Sequence, residues 1–454
     1  MVPPLCAVCS RHLTNQPASV ERPWQCALCF GILDPDFIAE VAEKAAESLN
    51  SECFDSHSFV LALNVPVSVT LREAIIECSN DSEMRQGTLS SVPFKLRLVD
   101  AYTGKLKEAT GLHPSLGSDL KLTLTLVNDE FNLTDSVFLF KHFKEDFVPS
   151  RKRKRFEPQQ PLETNFTKVR VSNIVSKITP EISSAYEMIS PSKKCTFSFA
   201  FERKPIFIAG RYCKFSRSLP QSPWTASEEL PKVNGNSVSE KITKVLSEET
   251  RCDSTRFIAS GREDIDVRML GSGRPFVVEC FNPRRRLQFL RDLLKETLCR
   301  LEKSINDDKD IKLGSSLKLI AEKQASDVKL DQEDKQKCYT AYCYCTEEIL
   351  EANLDKLSTL APIEILQKTP VRVLKRRSLL ERKRNVFSMD ALKVDDLHFL
   401  LRLETQAGTY VKEFIHGDFG RTKPSLRDLL GLTTGEVDII ELDVEYVNME
   451  WPPG

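Results

Sequence analysis

The chain of 454 residues carries a formal net charge of −1, with 41% hydrophobic and 28% charged residues, which is the composition of a globular protein long enough for several domains. Because this net charge offers no attraction for nucleic acid, any such contact must come from local basic clusters, such as those at 151–155, 283–286 and 372–384. Taken singly, each cluster is more typical of a solvated loop. No apolar run is long enough to span a membrane, and residues 1–10 lack the layout of a secretory signal. We therefore expect a nuclear and/or cytoplasmic protein whose 14 cysteines are mostly reduced.

The N-terminal residues contain two Cys-x-x-Cys pairs, Cys6 with Cys9 and Cys26 with Cys29. Two such knuckles, brought together by a hairpin, supply the four tetrahedral ligands that Zn²⁺ requires. Two disulfides or four unrelated thiols are the alternatives. Four thiolates leave no open coordination position, so the pattern predicts a structural zinc site in a segment at 1–33.

The following part of the chain predicts an α+β domain. Residues 34–50 have a capped amphipathic pattern that predicts a helix. Alternation of apolar and polar residues then predicts strands, at 58–71, 94–100, 120–128 and 136–143. The α+β pattern continues through 167–178 and 196–212, and residues 149–165, basic and then rich in Pro and Gln, predict an exposed linker. We assign this domain to 34–205.

The second half predicts a further α+β domain at 206–454, after a polar, Ser-rich boundary at 216–238. Helices are predicted at 239–250, 285–305 and 424–431. Strands are predicted at 255–261, 274–283, 337–346, 372–377, 385–389, 397–410 and 437–447. Residues 408–420 turn from a strand into a helix.

Motifs in this second half resemble those of the pseudouridine synthases. Residues 260–276, "SGREDIDVRMLGSGRPF", are similar to the catalytic-aspartate motif of the TruA group. The other motifs are "KCYTA" at 337–341, "TPVRVLKRR" at 369–377 and "LETQAGTYVKEFIHGDFGRTKPSL" at 403–426, the last similar to a segment of the TruB group. Together with "GRYCKFSRSLPQSPW" at 210–224 and "ELDVEYVNMEWPP" at 441–453, they resemble the archaeal and eukaryotic tRNA pseudouridine synthases that carry an N-terminal zinc and THUMP module.

The resemblance implies a fold and an activity. It implies a synthase domain with a central mixed or antiparallel sheet and flanking helices, behind a THUMP-like RNA-binding domain. The activity is isomerisation of uridine to pseudouridine in the T loop of tRNA, at positions 54 and/or 55, without an organic cofactor. The N-terminal module would hold the acceptor end of the tRNA, and we expect a monomer. A non-catalytic RNA-binding or scaffold protein that retains the fold is the alternative.

The resemblance also assigns catalytic roles. Asp264 takes the position of the catalytic aspartate, while Asp266 takes that of a glycine in the TruA group and has an ion pair or a loop hydrogen bond as its expected role. Tyr339 would stack on the displaced uracil, and its hydroxyl would help to remove the C5 proton, the alternative being a core strand tyrosine. Lys412 replaces an arginine that pairs with the catalytic aspartate in related enzymes, the alternative being a surface lysine. For His416 a structural hydrogen bond is favoured over acid–base chemistry.

Flipping the target base out of folded RNA costs free energy that contacts with phosphate groups must offset. The candidates for these contacts are basic residues in or near the motifs: Arg262, Arg211, Arg217, Arg376, Arg377, Arg421 and Lys423.

Overall fold

The computed structural model describes residues 3–13, 17–79, 92–147, 162–223, 236–287, 291–330, 336–375 and 377–453. These residues divide into two compact units, Met1–Lys204 and Pro205–Gly454. Within the described ranges, no helix has the length and apolar character needed to cross a bilayer.

The first unit contains a four-stranded sheet covered by helices. Its helices are α1 (Ala7–Leu13), α2 (Pro35–Glu52), α3 (Val67–Glu77), α4 (Phe94–Thr110), α5 (Asn132–His142), α6 (Lys144–Phe147), α7 (Lys168–Val175) and α8 (Pro180–Ser184). Its strands are β1 (Ser58–Asn64), β2 (His113–Pro114), β3 (Leu120–Val127) and β4 (Thr196–Arg203). The order in the sheet is β2-β1-β3-β4, with β1 parallel to β2 and β3 and with β4 antiparallel to β3.

The cysteine segment shares the core of this unit instead of forming a separate body. Cys9 and Cys26 are buried in one apolar cluster with Val41 of α2, Leu98 of α4 and Leu122 of β3. Helix α2 follows the predicted amphipathic pattern, because its buried residues recur every three or four positions and face this cluster.

Parts of three predicted strands in the first unit are helices. Residues 94–100 lie in α4, residues 136–143 lie largely in α5, and the second half of 58–71 lies in α3. In a short alternating segment, every second apolar residue is four positions from the last and falls on one side of a helix, as the buried Phe94 and Leu98 do while Leu96 between them is exposed. Leu, Lys and Arg are also good helix formers. The predictions of strand in these segments are therefore wrong.

The second unit is built on one large mixed sheet. Its strands are β5 (Ile206–Lys214), β6 (Ser254–Ala259), β7 (Arg268–Phe281), β8 (Ile311–Leu313), β9 (Lys318–Ile320), β10 (Gln336–Cys345), β11 (Ile363–Lys368), β12 (Glu381–Lys393), β13 (His398–Gln406), β14 (Thr422–Lys423) and β15 (Val437–Val447). Its helices are α9 (Val238–Thr250), α10 (Arg291–Asn306), α11 (Glu322–Leu330), α12 (Glu351–Leu360), α13 (Val411–His416) and α14 (Leu426–Leu430).

The strand order is β14-β11-β12-β13-β10-β15-β7-β5-β8, with β6 beside β7 and β9 beside β5. Neighbours are antiparallel except β15 and β7, which are parallel. The predicted α+β class with a central mixed sheet and flanking helices is confirmed. The predicted strand at 372–377 is wrong, because a 3-10 turn at Val371–Val373 follows Pro370. This turn brings Arg372 to the site described next.

Candidate active site

The loop between β6 and β7 carries the motif that holds the predicted catalytic aspartate. Gly261 begins this loop with φ at +84°, and a Cβ atom there would lie 3.0 Å from both Arg274 Nη1 and Lys337 Nζ. A side chain at this position would be both strained and crowded. The loop then turns at 264–267, where the Val267 N–H donates to the Asp264 carbonyl oxygen at 3.1 Å. Glycine thus allows the chain to double back and present Asp264.

Two cations face the Asp264 carboxylate. Arg372 Nη1 lies 3.0 Å from Asp264 Oδ2, and Lys412 Nζ lies 3.6 Å from the same oxygen. The Asp264 side chain is 43% exposed, so it is accessible to a substrate while it contacts both cations. Opposite charges at these distances stabilise a carboxylate anion and orient it.

Lys412 has a closer partner in Asp266. Its Nζ lies 2.6 Å from Asp266 Oδ2, which is 1 Å less than its distance from Asp264. Partial burial acts to raise the pKa of Asp266, but the hydrogen bond and charge of Lys412 bring that pKa below its usual value. The two aspartates therefore share one lysine, and Asp266 has the ion-pair role that the sequence left open.

Arg372 is the residue of this site that the sequence reasoning missed. Its Nε donates to Glu413 Oε1 at 2.6 Å and its Nη2 donates to Glu413 Oε2 at 3.4 Å, while Nη1 reaches Asp264. Burial acts to lower the pKa of Arg372, but the bonds to Glu413 and the charge of Asp264 raise it. Arg372 is the first of three arginines in the motif "TPVRVLKRR". The predicted strand favoured the other two, Arg376 and Arg377, as the functional residues. Arginine donates through a planar guanidinium group, which a lysine lacks. At this site Arg372 supplies that group next to Asp264.

A buried network holds the loop from below. Arg274 Nε lies 2.6 Å from Glu263 Oε2, and both side chains are almost completely buried. The Tyr212 hydroxyl donates to Glu263 at 2.9 Å, and Gln221 Nε2 donates to the Tyr212 oxygen at 2.7 Å and to the Gly261 carbonyl at 3.0 Å. A buried ion pair needs such additional hydrogen bonds to offset its desolvation. Glu263 is therefore a structural member of the acidic motif.

Lys214 fixes the backbone of the same turn. Its buried Nζ donates to the carbonyls of Leu219, Asp264 and Ile265 at 2.9, 3.1 and 2.9 Å. Burial lowers the pKa of Lys214 to about 8, with the charge of Glu263 acting in the opposite direction. These bonds hold the turn that carries the Asp264 carboxylate.

Tyr339 lies on β10 two residues after Lys337, so the two side chains lie on one face of the strand. Lys337 approaches Gly261, which directs this face towards the loop that carries Asp264. Burial raises the pKa of Tyr339 to about 12, whereas burial lowers the pKa of Lys337 to about 8. At neutral pH the Tyr339 hydroxyl is therefore protonated, and the ring packs partly against the core.

Two of the predicted phosphate contacts have structural partners instead. Arg211 is buried, and its guanidinium donates to four backbone carbonyls at 2.7 to 3.0 Å. Arg217 donates to the carbonyls of Asp266 and Leu442 and pairs with Glu441 and Asp443. The sequence cannot distinguish a buried arginine that links loops from an exposed one. The burial of Arg211 conflicts with the predicted RNA contact. The Arg217 guanidinium is already bonded to carbonyl and carboxylate oxygens of the protein.

The other predicted contacts differ in exposure. Arg262, Arg377 and Lys423 are exposed. Arg421 is partly buried, because its Nη2 donates to the Thr369 carbonyl at 2.7 Å. The remaining candidate, Arg376, lies outside the described residues.

The four predicted metal ligands form one buried cluster. The Sγ atoms of Cys6, Cys9, Cys26 and Cys29 all lie within 4.8 Å of one another, and Cys6 Sγ lies 3.7 Å from Cys29 Sγ. All four are free thiols, which excludes the disulfide alternative in this structure. Sulfur ligands at the corners of a tetrahedron around zinc are about 3.8 Å apart, from a metal–sulfur distance of about 2.3 Å. The cluster therefore has the dimensions of a four-coordinate metal site.

Comparison with known proteins relates both units to one family. The family described as "Pus10, C-terminal" matches residues 207–448, and "Eukaryotic Pus10, N-terminal" matches 26–200. The tRNA pseudouridine synthase Pus10 of Xenopus laevis is 36% identical over 94% of this chain and 81% of its own length, and that of Homo sapiens is 34% identical over 94% and 79%. A solved Cbf5-Nop10-Gar1 complex is similar with 14% identity and a TM-score of 0.28, over 52% of this chain and 58% of that one. By the family matches and these identities, the chain belongs to the Pus10 family.

Proposed function

We propose that this protein is a tRNA pseudouridine synthase that isomerises uridine in the T loop, at positions 54 and/or 55, with Asp264 as the catalytic aspartate. The observation that carries the proposal is the Asp264 carboxylate, which is 43% exposed, lies on an immobilised turn and contacts Arg372 at 3.0 Å. The names of the relatives, each a tRNA pseudouridine synthase, support the same reaction.

The reaction is an internal exchange of bonds. The C1′–N1 bond of uridine breaks, the uracil rotates, and a C1′–C5 bond forms; C5 loses its proton and N1 gains one. No electrons are transferred to or from another molecule, so no organic redox cofactor is needed. Asp264 either attacks the nucleoside directly or removes a proton from the ribose during cleavage, and both routes use the carboxylate anion that Arg372 and Lys412 orient.

For Tyr339 we propose stacking on the displaced uracil. Its pKa of about 12 makes the hydroxyl a poor acceptor of the C5 proton at neutral pH, whereas the ring remains suited to packing on a base. Lys412 holds Asp264 and Asp266 in position in this account. We assign phosphate contacts to the exposed Arg262, Arg377 and Lys423 and to the accessible part of Arg421.

The metal of the cysteine cluster, we propose, is zinc in a structural role. Four thiolates close the coordination shell, and their burial in the core of the first unit suits a folding role. The first unit, in this proposal, is a THUMP-like module that binds the acceptor end of tRNA, and the protein acts as a monomer in the nucleus and/or the cytoplasm.

The proposal is tested with tRNA transcripts that carry tritium at C5 of uridine, since formation of the C1′–C5 bond releases this tritium to water. We expect release with the parent protein and none above background with Asp264→Ala, while tRNA binding is retained. An Asp264→Ala variant as fast as the parent would refute the catalytic assignment. A parent that binds tRNA tightly but releases no tritium would support the non-catalytic scaffold instead.

A further inference from the structure

Phe419 of the second unit has an unusually exposed side chain. Its side chain is 94% exposed, whereas Phe215, the other exposed phenylalanine in the described part of the chain, is 42% exposed. An exposed phenyl ring forgoes the favourable free energy of burial, so other contacts must hold the residue in this position.

The exposed ring lies on a turn with an unusual backbone conformation. Asp418 (φ 45°, ψ 54°) and Phe419 (φ 55°, ψ 37°) both have left-handed conformations, which residues other than glycine rarely adopt. Hydrogen bonds hold the turn: the Asp418 N–H donates to His416 Nδ1 at 3.1 Å, and Asp418 Oδ2 accepts the Val371 N–H at 3.3 Å. His416 thus has the structural role favoured from the sequence. A strained turn of this kind persists only where the surrounding contacts maintain it.

The same contacts connect the turn to the catalytic groups. Helix α13, which carries Lys412 and Glu413, ends at His416 and leads directly into the turn. The bond from Val371 to Asp418 joins the turn to the 3-10 turn that carries Arg372. Phe419 is therefore fixed with respect to the elements that orient Asp264.

The segments next to this turn carry both basic and apolar side chains. Arg421 and Lys423 follow Phe419 closely in the chain, and the Cβ of a residue at Gly420 would lie 3.9 Å from the side chain of Lys423. Across the Asp418 bond, Val371 is 47% exposed and Leu374 is 38% exposed. An exposed ring on a basic segment matches the flat base faces and the phosphates of RNA, whereas an apolar protein partner would not require the cations.

We propose that Phe419 stacks on an unpaired base of the bound tRNA beside the target uridine, and so occupies space that the extruded uridine leaves. This inference rests on the proposed function. Stacking on an aromatic ring tolerates any base, so Phe419 contributes to binding and to base extrusion without selecting sequence.

The test compares Phe419→Gly and Phe419→Trp in the full-length protein. Glycine removes the ring and relieves the left-handed strain, so we expect a melting temperature equal to or above that of the parent. Its dissociation constant for T-arm RNA should rise about tenfold, with a matching loss in the rate of pseudouridine formation. Tryptophan keeps a stacking surface and should stay within about threefold of the parent. Leu392→Ala, at a residue that is 65% exposed on β12, is the control and should change neither binding nor rate.

A 2-aminopurine placed next to the target uridine reports stacking directly, since its fluorescence is quenched when it stacks on a ring. We expect quenching with the parent and Phe419→Trp but not with Phe419→Gly. Parent-like binding and quenching by Phe419→Gly would overturn the proposal and leave this surface to a protein partner. If the parent binds T-arm RNA but forms no pseudouridine, the proposed function fails, and the binding and quenching comparison still decides the role of Phe419.

Discussion

Replacement of Arg372 by methionine separates its contribution to stability from its proposed part in catalysis. Glu413, which accepts its Nε at 2.6 Å, has a side chain that is only 2% exposed, whereas the Arg372 side chain is 41% exposed. A fully buried carboxylate that loses its partner costs about 3–5 kcal/mol. Because water already reaches Arg372, we expect a smaller loss of about 2 kcal/mol in the free energy of unfolding, or about 5 °C in melting temperature.

A second change distinguishes the two roles. Adding Glu413→Gln to Arg372→Met removes the unpaired buried charge, so at least about 1 kcal/mol of stability should return. The rate should remain about 100-fold below that of the parent, because Asp264 still lacks the donor at 3.0 Å. Urea unfolding measures the first quantity, and single-turnover isomerisation of a tRNA transcript measures the second.

The result that would refute this reasoning is a double variant that regains the parent rate, since Arg372 would then act only by supporting Glu413. Lys383→Met is the stability control. It removes an exposed pair with Glu364, whose atoms lie 2.9 Å apart, and should change the free energy of unfolding by no more than about 0.5 kcal/mol.

Other consequences of the structure can be measured separately. Asp266→Asn removes the nearest partner of Lys412 but leaves Asp264, so we expect the single-turnover rate to fall by less than about tenfold, and a loss as large as that of Asp264→Asn would contradict the assignment. Burial lowers the pKa of Lys214 and Lys337 from 10.5 to about 8. Between about pH 8 and pH 10.5 the unfolded chain binds more protons than the folded protein, so these groups make the free energy of unfolding rise with pH. In urea titrations from about pH 7 to about pH 10, Lys214→Met should lose part of this rise. An unchanged dependence of the free energy of unfolding on pH would contradict the buried ammonium. Metal analysis of the purified protein should find about one zinc per chain, and its removal by a chelator should lower the melting temperature; metal-free protein with the same melting temperature would exclude a structural zinc.

Local sequence patterns predicted a cluster of side chains correctly where a residue type in a given spacing has few structural roles. Two Cys-x-x-Cys pairs predicted a cluster whose sulfur atoms the fold brings within 4.8 Å of one another. This signal depends on the short spacing within each cysteine pair, which can be read directly from the sequence.

Arginine gave the opposite outcome, because its role depends on distant parts of the chain. Arg211 is buried against carbonyls more than 230 residues away in sequence, such as that of Met449. Arg372 contacts the loop that carries Asp264 only because Pro370 is followed by a turn in place of the expected strand. The helices α4 and α5 lie where strands were predicted for a related reason. In a short apolar alternation, apolar residues four apart also fall on one side of a helix.

The central claim is tested most directly by mapping pseudouridine in tRNA transcripts after incubation with the parent protein and with Asp264→Asn, which keeps the shape of the side chain without its charge. We predict conversion at position 54 and/or 55 by the parent and no conversion by the variant, with equal tRNA binding by both. Conversion at the same positions by Asp264→Asn at the parent rate would contradict the account.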